Sequence, residues 1–309
     1  MHASVNGTRV FFDVDGAKVV WNDVVEVERP TMVLLPGGPG SSHMHYKRER
    51  AGFQRFKSSF QMVYIDWRGA GRSDPVDHET MTLSQAAADV EAIRELLGIE
   101  QWVVLGASGG GAWALVYAAA YPKRVSHLIV LHAPAKGEGF GDTAESIARQ
   151  AGVTDEAALD IYRRFVGGDL DEPVEDWAQS LRNTILQTQN ALYVDPKKHP
   201  EIVEARTRSW NSQPHESLLK EFDASRWYLR DFARNYAVAD IGGRITCPTL
   251  VITGETDPVA TPAASQEIHE AVAGSELFIH SGGHMPHGDE QVQFFARIDD
   301  FLKRHGIEI

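Results

Sequence analysis

Six short runs in this chain, residues 32–35, 62–65, 102–105, 128–131, 250–252 and 277–279, are apolar at every position. Runs of this length are too short for buried helices. Because they lack the polar alternation of a half-wet strand, they suit strands covered on both faces in a parallel sheet. The stretch between the second and third runs reads as a helix. Thr82-Leu83-Ser84-Gln85 is a capping-box pattern, Leu83, Ala86, Ala87, Val90, Ile93 and Leu97 recur at helical spacing, and Gly98 closes the segment. Strand and helix alternating in this way predict an α/β fold with right-handed crossovers, a mostly parallel central sheet flanked by helices.

The pattern differs at the start and in the middle. Residues 8–12 and 18–21 are rich in β-formers with Asp15-Gly16 between them, which predicts a hairpin. From about Ala135 to Asp240 no clean apolar strand occurs, whereas residues 177–189 and 218–232 are amphipathic. A core of residues 1–134 and 241–309 interrupted by a mainly helical cap at 135–240 is expected; the competing reading is an independent second domain. Insertion is favoured because the strand pattern resumes at Pro248-Thr249-Leu250-Val251-Ile252-Thr253-Gly254. With 309 residues, 43% of them hydrophobic, the chain can build a substantial core. Its formal charge of −13 argues against nucleic acid and anionic membranes as partners. A single cysteine, Cys247, excludes an internal disulfide framework and is read as packing ahead of a strand. Neither a leader-like segment nor a run of ~18 apolar residues is seen, so the expected location is cytoplasmic.

After the third apolar run comes Gly106-Ala107-Ser108-Gly109-Gly110, followed by the helix-forming, Ala-rich residues 112–120. This is G-x-S-x-G between a strand and a helix, the setting that gives the motif its chemistry. A serine on so sharp a turn projects its hydroxyl clear of the sheet at the cost of a strained backbone. Residues two before and two after it must lack a Cβ so that strand and helix can approach. Outside that setting, the same five residues would be a glycine-rich turn with an idle serine.

A serine nucleophile needs a general base, and the base needs an acid to orient it. The fifth run leads into Gly254-Glu255-Thr256-Asp257-Pro258 and the sixth into Ser281-Gly282-Gly283-His284. Asp257 and His284 thus fall at strand ends, where open α/β sheets gather ligands. Glu255 is the rival acid, and Asp257 has the bland alternative of capping the helix after Thr261. His280, His284 and His287 superficially suggest a metal, but that spacing aligns ligands on a helix, and this stretch reads as strand and glycine loop. His43 and His45 are expected as a surface pair. The first run enters Pro36-Gly37-Gly38-Pro39-Gly40-Ser41-Ser42, whose bare amides can bind an anion; Gly38 and Gly109 would supply a two-donor oxyanion hole. No Gly-Lys-Ser/Thr follows, which argues against a phosphate loop.

Gly37-Gly38-Pro39-Gly40-Ser41-Ser42, Asp66-Trp67-Arg68-Gly69-Ala70-Gly71-Arg72-Ser73 and the serine turn, extended by Ala114-Leu115-Val116-Tyr117 and Tyr121-Pro122, resemble the proline iminopeptidase branch of the α/β-hydrolase superfamily. The likeness covers residues 31–131 and 249–287. It implies a capped, cofactor-free α/β-hydrolase with the triad Ser108, Asp257 and His284 and no metal. The substrate is expected to be a small molecule or short peptide, cleaved by an aminopeptidase or amidase activity, with an esterase or lactonase as alternative and a non-catalytic binding relative as a remote one. Two positions depart from that branch, Pro36 where a His is usual and Gly109 where a Trp is common. Such enzymes hold the substrate amine with cap carboxylates. Glu172, Glu175, Asp176, Glu216 and Glu221 match none of them by motif and read as solvated helix surface. Asp66 and Arg68 read as ties for the loop beneath the site.

Overall fold

The computed structural model describes all residues except 22, 49–50, 193–196, 198, 287–288 and 309. The strands are β1 (His2–Val5), β2 (Thr8–Asp15), β3 (Val19–Trp21), β4 (Glu26–Glu28), β5 (Thr31–Leu35), β6 (Gln61–Ile65), β7 (Trp102–Ala107), β8 (Val125–Leu131), β9 (Thr249–Gly254) and β10 (Glu276–His280). Eight of them form one sheet in the order β1-β2-β6-β5-β7-β8-β9-β10. The six apolar runs are its six parallel strands, β6-β5-β7-β8-β9-β10.

The helices are α1 (Leu83–Leu96), α2 (Gly109–Ala120), α3 (Phe140–Gln150), α4 (Glu156–Gly167), α5 (Val174–Leu192), α6 (Pro200–Asn211), α7 (His215–Asn235), α8 (Val238–Ile241), α9 (Pro262–Ala271) and α10 (Asp289–Arg304). Thr82 caps α1, its Oγ1 accepting from Gln85 N at 3.1 Å. Successive side chains of a strand point to opposite faces, and here both faces are covered. Val33 and Val104 pack in one cluster with Val90 and Ile93 of α1, Trp113 of α2 and Ile268 of α9. Met32, Leu34, Val103 and Leu105 pack in another with Phe294, Ile298 and Phe301 of α10. Burying one such side chain is worth about 1.5–3 kcal/mol; being buried on both faces is why β5 to β9 carry no polar alternation, whereas the edge strand β10 is only partly covered and leaves Ile279 exposed.

Helices α3–α7 follow β8 and precede β9 in the chain. A third cluster, with Leu159, Phe165, Trp177, Leu181 and Phe222, holds α4, α5 and α7 together. Helix α7 also reaches back to the sheet's helices and loops: Asp231 Oδ2 accepts from Leu83 N (2.8 Å) and Tyr228 Oη donates to the Arg68 carbonyl (3.1 Å).

The expected hairpin does not form. β2 pairs with β1 across Asn6-Gly7, both at positive φ (45° and 79°), and its far end pairs antiparallel with β6. Residues 19–21 pair with β4 instead. Asn-Gly and Asp-Gly are equally good hairpin signals, and the chain turns back at the first of them. Gly16 is needed for another reason, since a Cβ there would lie 2.8 Å from the Phe60 carbonyl oxygen.

Candidate active site

Ser108 lies between β7 and α2 with φ 56° and ψ −125°, a backbone region that a non-glycine residue occupies only under strain. The neighbouring glycines are required sterically. A Cβ at Gly106 would run into the Gly110 carbonyl, and one at Gly110 into the Leu35 and Pro36 carbonyls. The turn is fastened to the sheet by Ser108 N, which donates to Leu131 O at 2.8 Å.

His284 comes from the loop after β10 and is buried. Its Nε2 faces Ser108 Oγ at 3.2 Å, and its Nδ1 donates to Asp257 Oδ2 at 2.8 Å. Asp257 is fixed by its own loop, because Oδ1 accepts from Val259 N and Ala260 N, each at 2.9 Å. Burial opposes the charge of Asp257, yet the adjoining His284 and His132 hold its carboxyl well below the usual range. The rival Glu255 is exposed. The helix after Thr261 is capped by Thr261 itself, whose Oγ1 accepts from Ala264 N.

The first glycine turn packs against the serine. A Cβ at Gly37 would lie 3.0 Å from Ser108 Cβ, and one at Gly109 would lie 3.1 Å from the Gly38 carbonyl carbon. Gly37 N donates to Tyr46 Oη (3.0 Å), and Ser41 Oγ donates to the Gly37 carbonyl. Gly109 opens α2, and the first amides of a helix have no intrahelical acceptor. Gly38 and Gly109 therefore stand side by side at a helix N-terminus, where negative charge is favoured.

Beneath the turn, Asp66 accepts from His43 N (2.8 Å), His43 Nδ1 (2.7 Å) and Arg72 N (2.9 Å). His43 is thus fully buried instead of on the surface, while His45 is exposed. Arg68 makes a buried two-point contact with Asp89, at 2.7 and 3.0 Å. Cys247 is partly buried, and burial pushes its thiol up to about 11.

Two residues depart from the sequence expectation: His132 carries no motif, and Glu221, expected as solvated helix surface, is not solvated. His132, directly after β8, brings Nδ1 to Asp257 Oδ2 at 3.1 Å. The rule that singled out Asp257 and His284, a polar residue at the end of a buried strand, applies equally to it. Glu221 on α7 is half-buried, and burial pushes its carboxyl up despite a hydrogen bond from Gln213 Nε2 (2.9 Å). One turn along, Ser225 Oγ donates to the Pro39 carbonyl at 2.7 Å, so this face of α7 meets the glycine turn. Glu172, by contrast, is exposed and paired with Arg164. Among the described residues, the group with three potential metal donors in reach is His132, Asp257 and His284, within 4.8 Å of one another. Those contacts are accounted for as two N–H donors on one carboxylate oxygen. His280 Nδ1 accepts from Gly282 N (3.0 Å), and His287 lies outside the described residues. No helix among the described residues is long and apolar enough to cross a membrane.

The sequence pattern of the alpha/beta hydrolase fold matches residues 30–291. A proline iminopeptidase from Lactobacillus helveticus is 27% identical over 282 residues, covering 90% of this chain and 91% of the relative. Among solved structures, the enol-lactonase from Burkholderia xenovorans LB400 superposes with a TM-score of 0.69 at 20% identity, covering 98% of this chain and 100% of the other. The proline iminopeptidase of Mycobacterium smegmatis gives 0.65 at 20% identity, with 99% and 98% covered.

Proposed function

Since this chain belongs to the alpha/beta hydrolase fold family and is a hydrolase, we propose that it cleaves carbonyl substrates through an acyl-enzyme on Ser108. The observation that carries the reading is the line Ser108 Oγ, His284, Asp257, with its 3.2 and 2.8 Å spacings. In this reading His284 Nε2 takes the hydroxyl proton as Oγ attacks the substrate carbonyl. Asp257 keeps the Nδ1–H pointed inward, so that Nε2 is the basic nitrogen, and stabilises the imidazolium that forms. The Gly38 and Gly109 amides receive the oxyanion, His284 returns the proton to the leaving group, and water resolves the ester. Helices α3–α7 serve as the cap, with α7 bringing Ser225 and Glu221 to the glycine turn.

For substrate, the first reading is removal of an N-terminal residue from a small peptide or amide. It is supported by the resemblance to proline iminopeptidases and by Glu221, a carboxyl suited to an ammonium group and one helical turn before the Ser225 that bonds the glycine turn. The second is an esterase or lactonase, supported by Pro36 and Gly109 and by the burial that pushes Glu221 towards its neutral form. A matched panel of prolyl and other aminoacyl amides against short acyl esters decides between them. The peptidase reading expects amide turnover that is lost when the amine is acetylated, and a KM raised about tenfold or more in Glu221→Gln. Turnover of esters alone rejects it. Activity that survives in Ser108→Ala rejects the acyl-enzyme itself.

A further inference from the structure

Asp257 serves two histidines. Its Oδ2 accepts from His284 Nδ1 at 2.8 Å and from His132 Nδ1 at 3.1 Å, while Oδ1 is filled by two backbone amides. His132 is buried and held from several sides. Its own amide donates to Ile252 O (2.7 Å), one strand over from the bond that fastens Ser108. Its ring stacks on Phe294 of α10, with centroids 6.0 Å apart and an interplanar angle of 21°, and meets His284 edge-on at 5.5 Å. It occupies φ 50°, a left-handed conformation uncommon for non-glycine residues though one in which histidine is enriched. The ionisable groups around it among the described residues are Asp257, His284 and His280, whose ring centroid is 5.2 Å away. Glu290 of α10 joins them through Gly282, where a Cβ would meet both its carboxylate and His280 Nδ1.

A carboxylate only accepts, so His132 Nδ1 carries the proton it shares with Asp257. Burial is the largest influence on the ring and pushes it towards the neutral form, against the pull of Asp257. Its Nε2 is buried with no partner among the described residues, so a second proton there would leave a buried cationic donor unsatisfied.

Resting on the acyl-enzyme reading above, we propose that His132 is a positioning residue for the reaction, sharing the Asp257 oxygen that orients His284. The second donor holds Oδ2 as the two loop amides hold Oδ1. It also takes up part of the charge that would otherwise go to the imidazolium, and so sets the strength of the base. Removing it frees that charge, and the acid limb of the rate profile moves up in pH. A residue that only filled space would alter stability and leave the limb in place.

The test is the pH profile of kcat/KM on an activated ester for the wild type, His132→Phe and His132→Asn. Phenylalanine keeps the stack on Phe294 and deletes the donor. Asparagine places an amide N–H near the position of Nδ1 and tolerates positive φ. With a hydrogen bond worth about 1 kcal/mol and 1.36 kcal/mol per pH unit, His132→Phe is expected to raise the acid limb by roughly half to one pH unit. His132→Asn should leave it within about 0.2 pH unit of wild type. If the phenyl variant does not fold, His132→Ala deletes the donor without adding bulk and is read in the same way. A limb that stays in place in the donor-less variant, or that moves equally in His132→Asn, overturns the proposal. Turnover persisting in Ser108→Ala would instead overturn the underlying reading, so the two failures are separable.

Discussion

His43 and His284 are both buried against an aspartate, yet their surroundings prepare them for different work. His43 Nδ1 lies 2.7 Å from Asp66 and its Nε2 lies 3.4 Å from Asp13, so both ring nitrogens face carboxylates. His284 places Nδ1 on Asp257 and Nε2 against the Ser108 hydroxyl. Both aspartates also hold loop amides, Asp66 those of His43 and Arg72, Asp257 those of Val259 and Ala260. Burial works against both carboxylates, and in each case hydrogen bonds and the neighbouring histidine outweigh it and hold the carboxyl low. A ring whose two nitrogens both serve carboxylates is a strut. One that leaves Nε2 facing a hydroxyl can take up a proton and return it.

The contrast is broken most sharply by substituting each histidine. His284→Asn should lower kcat/KM by about 10⁴-fold, and Asp257→Asn by a similar factor. The urea midpoint of His284→Asn should stay close to wild type. His43→Leu should do the reverse. It strips Asp66 of a buried hydrogen-bond donor and should cost about 1–3 kcal/mol of stability in urea unfolding, while folded protein keeps its rate within about tenfold. Equal losses of activity in the two histidine variants would show that the pairs are not distinct.

A smaller effect separates the pairs by pH. Burial and the nearby His132 push His280 down to about 4. An unfolded histidine binds its proton near ~6.5, so the unfolded chain takes up a proton before the folded one does. Stability therefore falls as pH drops from about 6.5 towards 4, by up to about 1.4 kcal/mol per pH unit for this group. Asp66 has the opposite history. Its depressed carboxyl contributes fully above ~3.9, and the contribution is lost only at lower pH. The His284 side should soften first, and His280→Phe should flatten the decline in Tm between pH 6.5 and 4.5. An unchanged slope would remove His280 as its source.

The strand ends were readable because one physical rule governs them all. A strand buried on both faces has no place for polarity until it ends, so Ser108 and Asp257 stand out at the ends of β7 and β9; the edge strand β10 is only partly covered, but its apolar run likewise ends before His284. His132 obeys the same rule after β8. A lone histidine there carries no motif to mark it. The hairpin turns at Asn6-Gly7 and not at Asp15-Gly16, a choice made by the pairing of the far end of β2 with β6 and not by either dipeptide. The burial of His43 could not be seen locally, since its partners Asp13 and Asp66 are 30 and 23 residues away in sequence. Glu221 reads as one acid among many on an amphipathic helix. Its environment depends on how α7 meets the glycine turn, a packing that periodicity does not encode.

Treatment with an organophosphonate ester that reacts with activated serines, followed by peptide mass spectrometry, tests the central claim most directly. A single adduct on Ser108 is expected, with hydrolysis lost in step with labelling and no adduct in His284→Asn at equal exposure. Labelling of another serine, or loss of activity without modification of Ser108, would contradict it.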